Sequence, residues 1–188
     1  VEKLSKTIEG KPLFQQVSFS VNKGDKIAVV SENPLAVTAF YDILTGNSKA
    51  DAGSFEWGTT ITWAYLPNDN TSFFSQPLPL LDWLRQFVPP HVTDADEPFL
   101  RGFLGKMLFS GEEIMKNTDV LSGGEKVRCM ISRMMLQEPN LVILDEPTNH
   151  LDLESIQAFN ESMIQFKRSE EHTSELQSQS TISYAVFC

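Results

Sequence analysis

Two adjacent carboxylates follow an apolar run in Leu141-Val142-Ile143-Leu144-Asp145-Glu146. Four consecutive apolar residues suit a strand buried on both faces. Side chains just past the carboxyl end of such a strand stand where open α/β sheets bind ligands. In a nucleotide hydrolase the two acids divide the work: Asp145 holds the shell of a Mg²⁺ ion and Glu146 polarises the attacking water. Taken alone, the same residues also suit a strand end that simply packs well.

A second group is Leu121-Ser122-Gly123-Gly124-Glu125. Ser122 and Glu125 have the spacing of a capping box, in which each side chain bonds the other residue's backbone N–H. The helix that follows carries Val127, Met130, Ile131 and Met134 as its core stripe. Two glycines in its first turn let a ligand approach the backbone N–H groups, where the helix end favours phosphate. A plain capped helix without a ligand explains the same tetrapeptide.

The elements that must hold these groups alternate between strand and helix. Val1 to Val30 reads as strands and turns: Leu13-Phe14 and Val17 to Val21 alternate, Asn22 to Asp25 turns, and Lys26 to Val30 is a buried strand. A helix follows Pro34, with Val37, Phe40, Tyr41 and Leu44 on one face and Gly46 as its stop. A small β unit spans Gly53 to Leu66, split at Gly58. Helices are expected over Leu80 to Phe87, Glu97 to Phe109 and Ser122 to Gln137, forming a helical subdomain at about 76–137. Trp83, Phe87, Phe99, Phe103, Met107 and Phe109 read as its core. The last helix, Leu153 to Phe166, places Ile156, Phe159, Met163 and Phe166 on one face. This order predicts an α/β fold whose strands pair largely in parallel.

Composition narrows the classes. The 188 residues are 41% hydrophobic and 21% charged, which suits one globular domain with a real core. The net charge of −10 argues against direct binding of DNA, since an acidic surface repels phosphate. No apolar run is long enough to span a bilayer, so no membrane contact and a cytoplasmic location are expected. Cys129 and Cys188 have no metal-site spacing, and Cys129 reads as a small core residue. His91 reads as a solvated loop residue, and Asp94, Asp96 and Glu97 as a helix start that complements the dipole.

The run Asp145-Glu146-Pro147-Thr148-Asn149-His150-Leu151-Asp152 resembles the Walker B and D-loop of ABC ATPases, and Leu121 to Glu125 resembles their signature. Asn149-His150 is the form associated with the ABC-F subfamily, and the resemblance covers about residues 1–167. It implies an ABC ATPase nucleotide-binding domain: a P-loop NTPase core with a small antiparallel β part and a helical subdomain. It also implies ATP and Mg²⁺ as cofactors, Glu146 as the catalytic group, and Leu151 and Asp152 as D-loop residues. In that family the signature acts in trans, on the γ-phosphate of ATP held by a partner domain.

The resemblance fails at the phosphate loop, which needs G-x-x-x-x-G-K-[ST] between a strand and a helix. Here Ser31-Glu32-Asn33-Pro34-Leu35-Ala36-Val37-Thr38 stands in that place. Ser31 and Ala36 occupy the glycine positions, Val37 the lysine position, and Thr38 alone survives as a Mg²⁺ ligand. Lysine's charged hydrogen bonds are worth about 1.5–3 kcal/mol each. Its loss alone would slow hydrolysis by on the order of 10²-fold or more. The aromatic expected against adenine falls near Ile8, and the glutamine expected before the helices falls near Asn68.

The implied protein is therefore the second nucleotide-binding domain of a soluble ABC-F ATPase, a ribosome-associated translation factor. Its signature completes the ATP site of a first ABC domain of the same chain, while its own site is slow or inactive. The alternatives are the ATPase subunit of a membrane transporter, which needs a permease partner, and an interaction domain that has lost its chemistry. Nucleotide-dependent dimerisation separates the last from the first. Residues 168–188, RSEEHTSELQSQSTISYAVFC, change character abruptly. RSEEHTSELQS and ISYAVFC resemble translations of a sequencing-library adapter. The expectation is a chain cut at about Lys167, inactive as a fragment, with the switch histidine further downstream.

Overall fold

The computed structural model describes residues 1–168 and 186–187, and the chain divides into two compact units. The first unit holds residues 1–68 and 139–146, together with the final pair 186–187. It begins with an antiparallel hairpin, β1 (Glu2–Ile8) and β2 (Lys11–Val17), and β4 (Ala52–Ser54) pairs with the other edge of β1. The alternation expected through Val21 ends earlier, although Val1 and Phe19 still exchange backbone hydrogen bonds at 3.1 Å in both directions. Gly53 has φ +82°, and a Cβ there would collide with the Lys3 carbonyl, so only glycine lets β4 approach β1.

The second sheet of this unit has the order β3-β7-β6-β5. Here β3 is Lys26–Ile27, β5 is Trp63–Leu66, β6 is Leu141–Leu144 and β7 is Val186–Phe187. Only β5 and β6 run parallel; β7 is antiparallel to both β3 and β6, so the sheet is mixed rather than largely parallel. Every residue of β6 is buried, as its apolar run requires. Asn140 pins its register: its side chain accepts from the Thr62 amide and donates to the Thr60 carbonyl, both at 2.8 Å.

The expected buried strand Lys26 to Val30 is corrected. Only Lys26–Ile27 is strand, and burial alternates, with Ile27 and Val29 toward the core and Val30 81% exposed. One face alone meets the core, which gives the period of two. Helix α1 (Pro34–Leu44) covers that core with Val37, Phe40, Tyr41, Ile43 and Leu44, against Leu4, Tyr65, Leu141 and Ile143. Gly46 follows it at φ +81°, and the Trp57 indole donates to the Leu44 carbonyl at 3.0 Å.

The second unit, residues 69–138 and 147–168, is helical. Helices α2 (Leu80–Arg85), α3 (Glu97–Lys106) and α5 (Leu153–Arg168) pack on α4 (Gly123–Gln137). Trp83, Met107 and Phe109 are core as expected, but Phe87, Phe99 and Phe103 are only half-buried, and Leu100 and Leu104 fill the interior instead. Cys129 is wholly buried, and burial pushes its thiol up. His91 is exposed, and the Asp96 carboxylate accepts the Phe99 amide at 2.9 Å as the cap of α3. On α5 the buried stripe is Ser155, Ala158, Phe159 and Ser162; of the expected face Phe159 is buried, Ile156 and Met163 are half-buried, and the Phe166 side chain lies outside the described residues. Small residues there allow close approach, shown by Ser162 Oγ at 3.7 Å from Met107 Sδ. Cys188 and residues 169–185 of the adapter-like segment lie outside the described residues. Among the described residues, no helix is long and apolar enough to cross a membrane.

Candidate functional site

In the first unit, β6 delivers Asp145 and Glu146 to the end of the sheet. The Asp145 amide continues the ladder by donating to the Leu66 carbonyl at 2.9 Å, and its residue is 2% exposed. The Thr38 hydroxyl, in the first turns of α1, donates to Asp145 Oδ2 at 2.8 Å. Burial raises the Asp145 carboxyl above the usual carboxylate range; the Thr38 bond opposes this, and the nearby charges of Glu146 and Asp42 add to it. Glu146 sits at φ +51°, a left-handed conformation that breaks the strand, and accepts the Asn68 side-chain N–H at 3.1 Å. The structure thus brings together Thr38 with Asp145, and Asn68 with Glu146.

The phosphate loop is the weak part of this arrangement. Ser31, Glu32, Asn33 and Pro34 are exposed, while Ala36 and Val37 are buried at 5% and 6% exposure. Val37, at the expected lysine position, belongs to the apolar core beside Phe40 and Tyr41. The loop also bonds itself. The Asn33 amide donates to Ser31 Oγ at 3.1 Å, and Asn33 Oδ1 caps α1 by accepting the Leu35 amide at 3.1 Å. The Ala36 amide donates to the Asn33 carbonyl at 3.0 Å, and Pro34 has no N–H to offer. Three amides of this segment, those of Asn33, Leu35 and Ala36, are thus bonded inside the chain and not aimed at a ligand. Ile8, expected near adenine, is 47% exposed at the end of β1.

The donor set of Thr38 and Asp145 fits Mg²⁺. One hydroxyl and one carboxylate oxygen within 2.8 Å of each other suit a hard cation that takes its remaining ligands from phosphates and water. Among the described residues there is no cluster of three or more His, Cys, Asp or Glu side chains that would hold a metal by protein ligands alone.

In the second unit, the capping box expected at α4 is present. Glu125 accepts the Ser122 amide at 2.7 Å, and Ser122 Oγ accepts the Glu125 amide at 3.2 Å. Burial works to raise the Glu125 carboxyl, but hydrogen bonds from Lys116 and Ser122 outweigh it and hold the value down to about 2. Leu121 is buried at 6% exposure and anchors the turn. Gly123 and Gly124 lie against His150, with φ +64° at His150 marking a tight turn. Leu151 is half-buried, and its amide donates to the Thr148 carbonyl at 3.2 Å. Asp152 accepts the Ser155 amide at 2.8 Å as the cap of α5, and hydrogen bonding from the Ser155 side chain and amide lowers its carboxyl below the usual range. Leu121 to Glu125, Leu151 and Asp152 therefore share one unit, while Ser31 to Thr38, Asn68, Asp145 and Glu146 share the other.

Sequence reasoning missed three contributors. Tyr65 lies close enough to Asp145 for each to influence the other's ionisation, and burial pushes its phenol up. His150 touches both signature glycines. Lys116 bonds Glu125 at 2.6 Å. A polar-tipped aromatic inside an apolar strand was a readable signal for Tyr65; the other two are pairings across turns that carry no periodic signature.

The sequence pattern of the family described as ABC transporter matches residues 14–149. The chain is 56% identical over 168 residues to the uncharacterized ABC transporter ATP-binding protein YkpA of Bacillus subtilis, covering 89% of this chain and 31% of that protein. It is 31% identical over 154 residues to the ATP-binding protein Uup of Escherichia coli, covering 82% and 24%. The chain thus spans under a third of the length of these relatives. A solved structure described as the dimeric structure of MJ0796, a bacterial ABC transporter cassette, superimposes with a TM-score of 0.70 at 14% identity, covering 90% of this chain and 82% of that one. At that identity the likeness concerns the fold.

Proposed function

The chain belongs to the ABC transporter family of ATP-binding domains, and from that premise we propose that it is one domain of a soluble ABC-F-type ATPase acting on the ribosome. ABC domains bind ATP and work with a partner nucleotide-binding domain. In this reading, Ser122 to Gly124 close on the γ-phosphate of ATP held by a first ABC domain of the same protein. The chain's own site, with Asp145, Thr38 and Mg²⁺, binds nucleotide weakly or statically. The ABC-F assignment is supported by Asn149-His150 and the likeness to Uup. A cytoplasmic location fits the acidic surface.

The observation that carries the asymmetry is the contrast between two phosphate-facing turns. Ser31 to Thr38 has used its amides internally and sunk Val37 into the core, whereas the Ser122 to Glu125 turn keeps a formed capping box beneath two glycines. The test is to substitute Ser122→Ala and Glu146→Gln separately in a full-length protein carrying this chain and measure ATP turnover. Loss on changing Ser122, with most activity kept on changing Glu146, is the expected result. The opposite pattern, with Glu146→Gln inactive and Ser122→Ala active, removes the proposal. A second reading, the ATP-binding subunit of a membrane transporter, is favoured by the name of the 56% identical relative, an ABC transporter ATP-binding protein. Copurification with a permease would select it.

A further inference from the structure

The N-terminus of α4 carries a negative charge that sits badly with receiving a phosphate. Glu125 completes the capping box, but an uncharged glutamine completes it equally well. A carboxylate in the first turn opposes an incoming polyphosphate. Its second partner resolves the conflict: Lys116 Nζ lies 2.6 Å from Glu125 Oε1, with the lysine side chain 40% exposed and the glutamate side chain 11% exposed. The lysine is held in place by its backbone. Its carbonyl accepts the Leu80 amide at 3.0 Å and its amide donates to the Glu113 carbonyl at 3.1 Å. Two residues on, Thr118 donates from its amide to Leu78 at 2.9 Å and from its hydroxyl to Gln76 at 2.8 Å. Glu113 also attracts the ammonium, but its carboxylate is held elsewhere: it accepts the Ser110 amide at 2.7 Å and lies 3.8 Å from Arg128.

We propose that Lys116 is a positioning residue that neutralises Glu125, so that the Ser122–Gly124 helix start can receive the terminal phosphate of a nucleoside triphosphate. The inference rests on the signature reading above. Removing the ammonium leaves a net negative charge at the helix start and frees the Glu125 side chain from one of its two anchors. One uncompensated charge beside the phosphate in largely solvated surroundings changes apparent nucleotide affinity by on the order of fivefold. Salt must shrink that effect, because the lysine side chain is 40% exposed.

The experiment is a double-mutant cycle in a full-length protein carrying this chain, with KM for ATP and kcat measured at low and high salt. Lys116→Met is expected to raise KM about fivefold at low salt and much less at high salt, while Lys116→Arg keeps the original KM. The Lys116→Met/Glu125→Gln pair is expected to return KM to about its original value, since it carries no net charge at the helix start, whereas Glu125→Gln alone keeps the lysine's charge and is expected to lower KM. If Lys116→Met lowers the unfolding midpoint, Lys116→Gln carries the same comparison. A defect that persists in full in the double variant, a defect indifferent to salt, or an unchanged KM overturns the role of Lys116. Ser122→Arg separates the two levels: lost turnover there with an unchanged Lys116→Met KM sinks only the lysine's role. Full turnover in Ser122→Arg sinks the signature reading and this inference with it.

Discussion

The backbone carbonyl of His150 stands so close to Gly124 that a Cβ on the glycine would lie 2.7 Å from its oxygen. A carbonyl in a turn with φ +64° cannot withdraw as a flexible side chain could. Gly124 thus makes room for the turn at His150.

Gly124→Ala is therefore expected to destabilise the domain by about 1–3 kcal/mol, measured by urea unfolding. Gly123→Ala is the control, because its nearest contact, His150 Cβ at 3.8 Å, is ordinary. Equal costs at the two positions would remove the packing role assigned to Gly124.

Val37→Lys does not rebuild the phosphate loop. The side chain at 37 is 6% exposed among Phe40 and Tyr41, so an ammonium there is desolvated, and the loop amides remain bonded to Ser31 and Asn33. The expected outcome is a loss of about 2–4 kcal/mol in stability with no gain in ATP affinity by calorimetric titration. A stable variant that binds ATP more tightly would show that the loop opens readily.

Asp145 sets a pH dependence whose sign follows from its raised carboxyl. The folded state holds the proton more tightly than the unfolded state, so as pH rises from the ordinary carboxylate value through the raised one, stability falls. Asp145→Asn is expected to raise the unfolding midpoint at neutral pH by about 2–4 °C, with the gain vanishing below about pH 3.5. A gain that is the same at both pH values would locate the effect outside this titration. The Thr38 hydroxyl bond, worth about 1 kcal/mol, is retained because an amide oxygen still accepts it.

The buried strand β6 and the two acids after it were legible because four apolar residues in a row admit little else, and the structure buries all four. The capping box at α4 was legible because it is a local exchange between residues three apart. Local periodicity failed where tertiary packing decides. On α5 the sequence favoured the large apolar residues, and the structure buried Ser155, Ala158 and Ser162 because close helix approach rewards small side chains. The strand from Lys26 pairs over two residues only, and burial along it alternates because one face alone meets the core.

The sequence by itself determined the chemistry available: an acid pair after a buried strand, a glycine-rich helix start, and a segment without lysine where a phosphate loop is expected. These depend on residue type and spacing over a few positions, which the chain fixes directly. Tertiary structure alone decided which groups meet. It joined Thr38 to Asp145 across 107 positions, Asn68 to Glu146 across 78, and Lys116 to Glu125 through a turn held by Leu80 and Thr118. It also turned Val37 inward. Such pairings are set by the packing of whole elements, where burial of apolar surface outweighs any single polar contact, and so no local pattern encodes them.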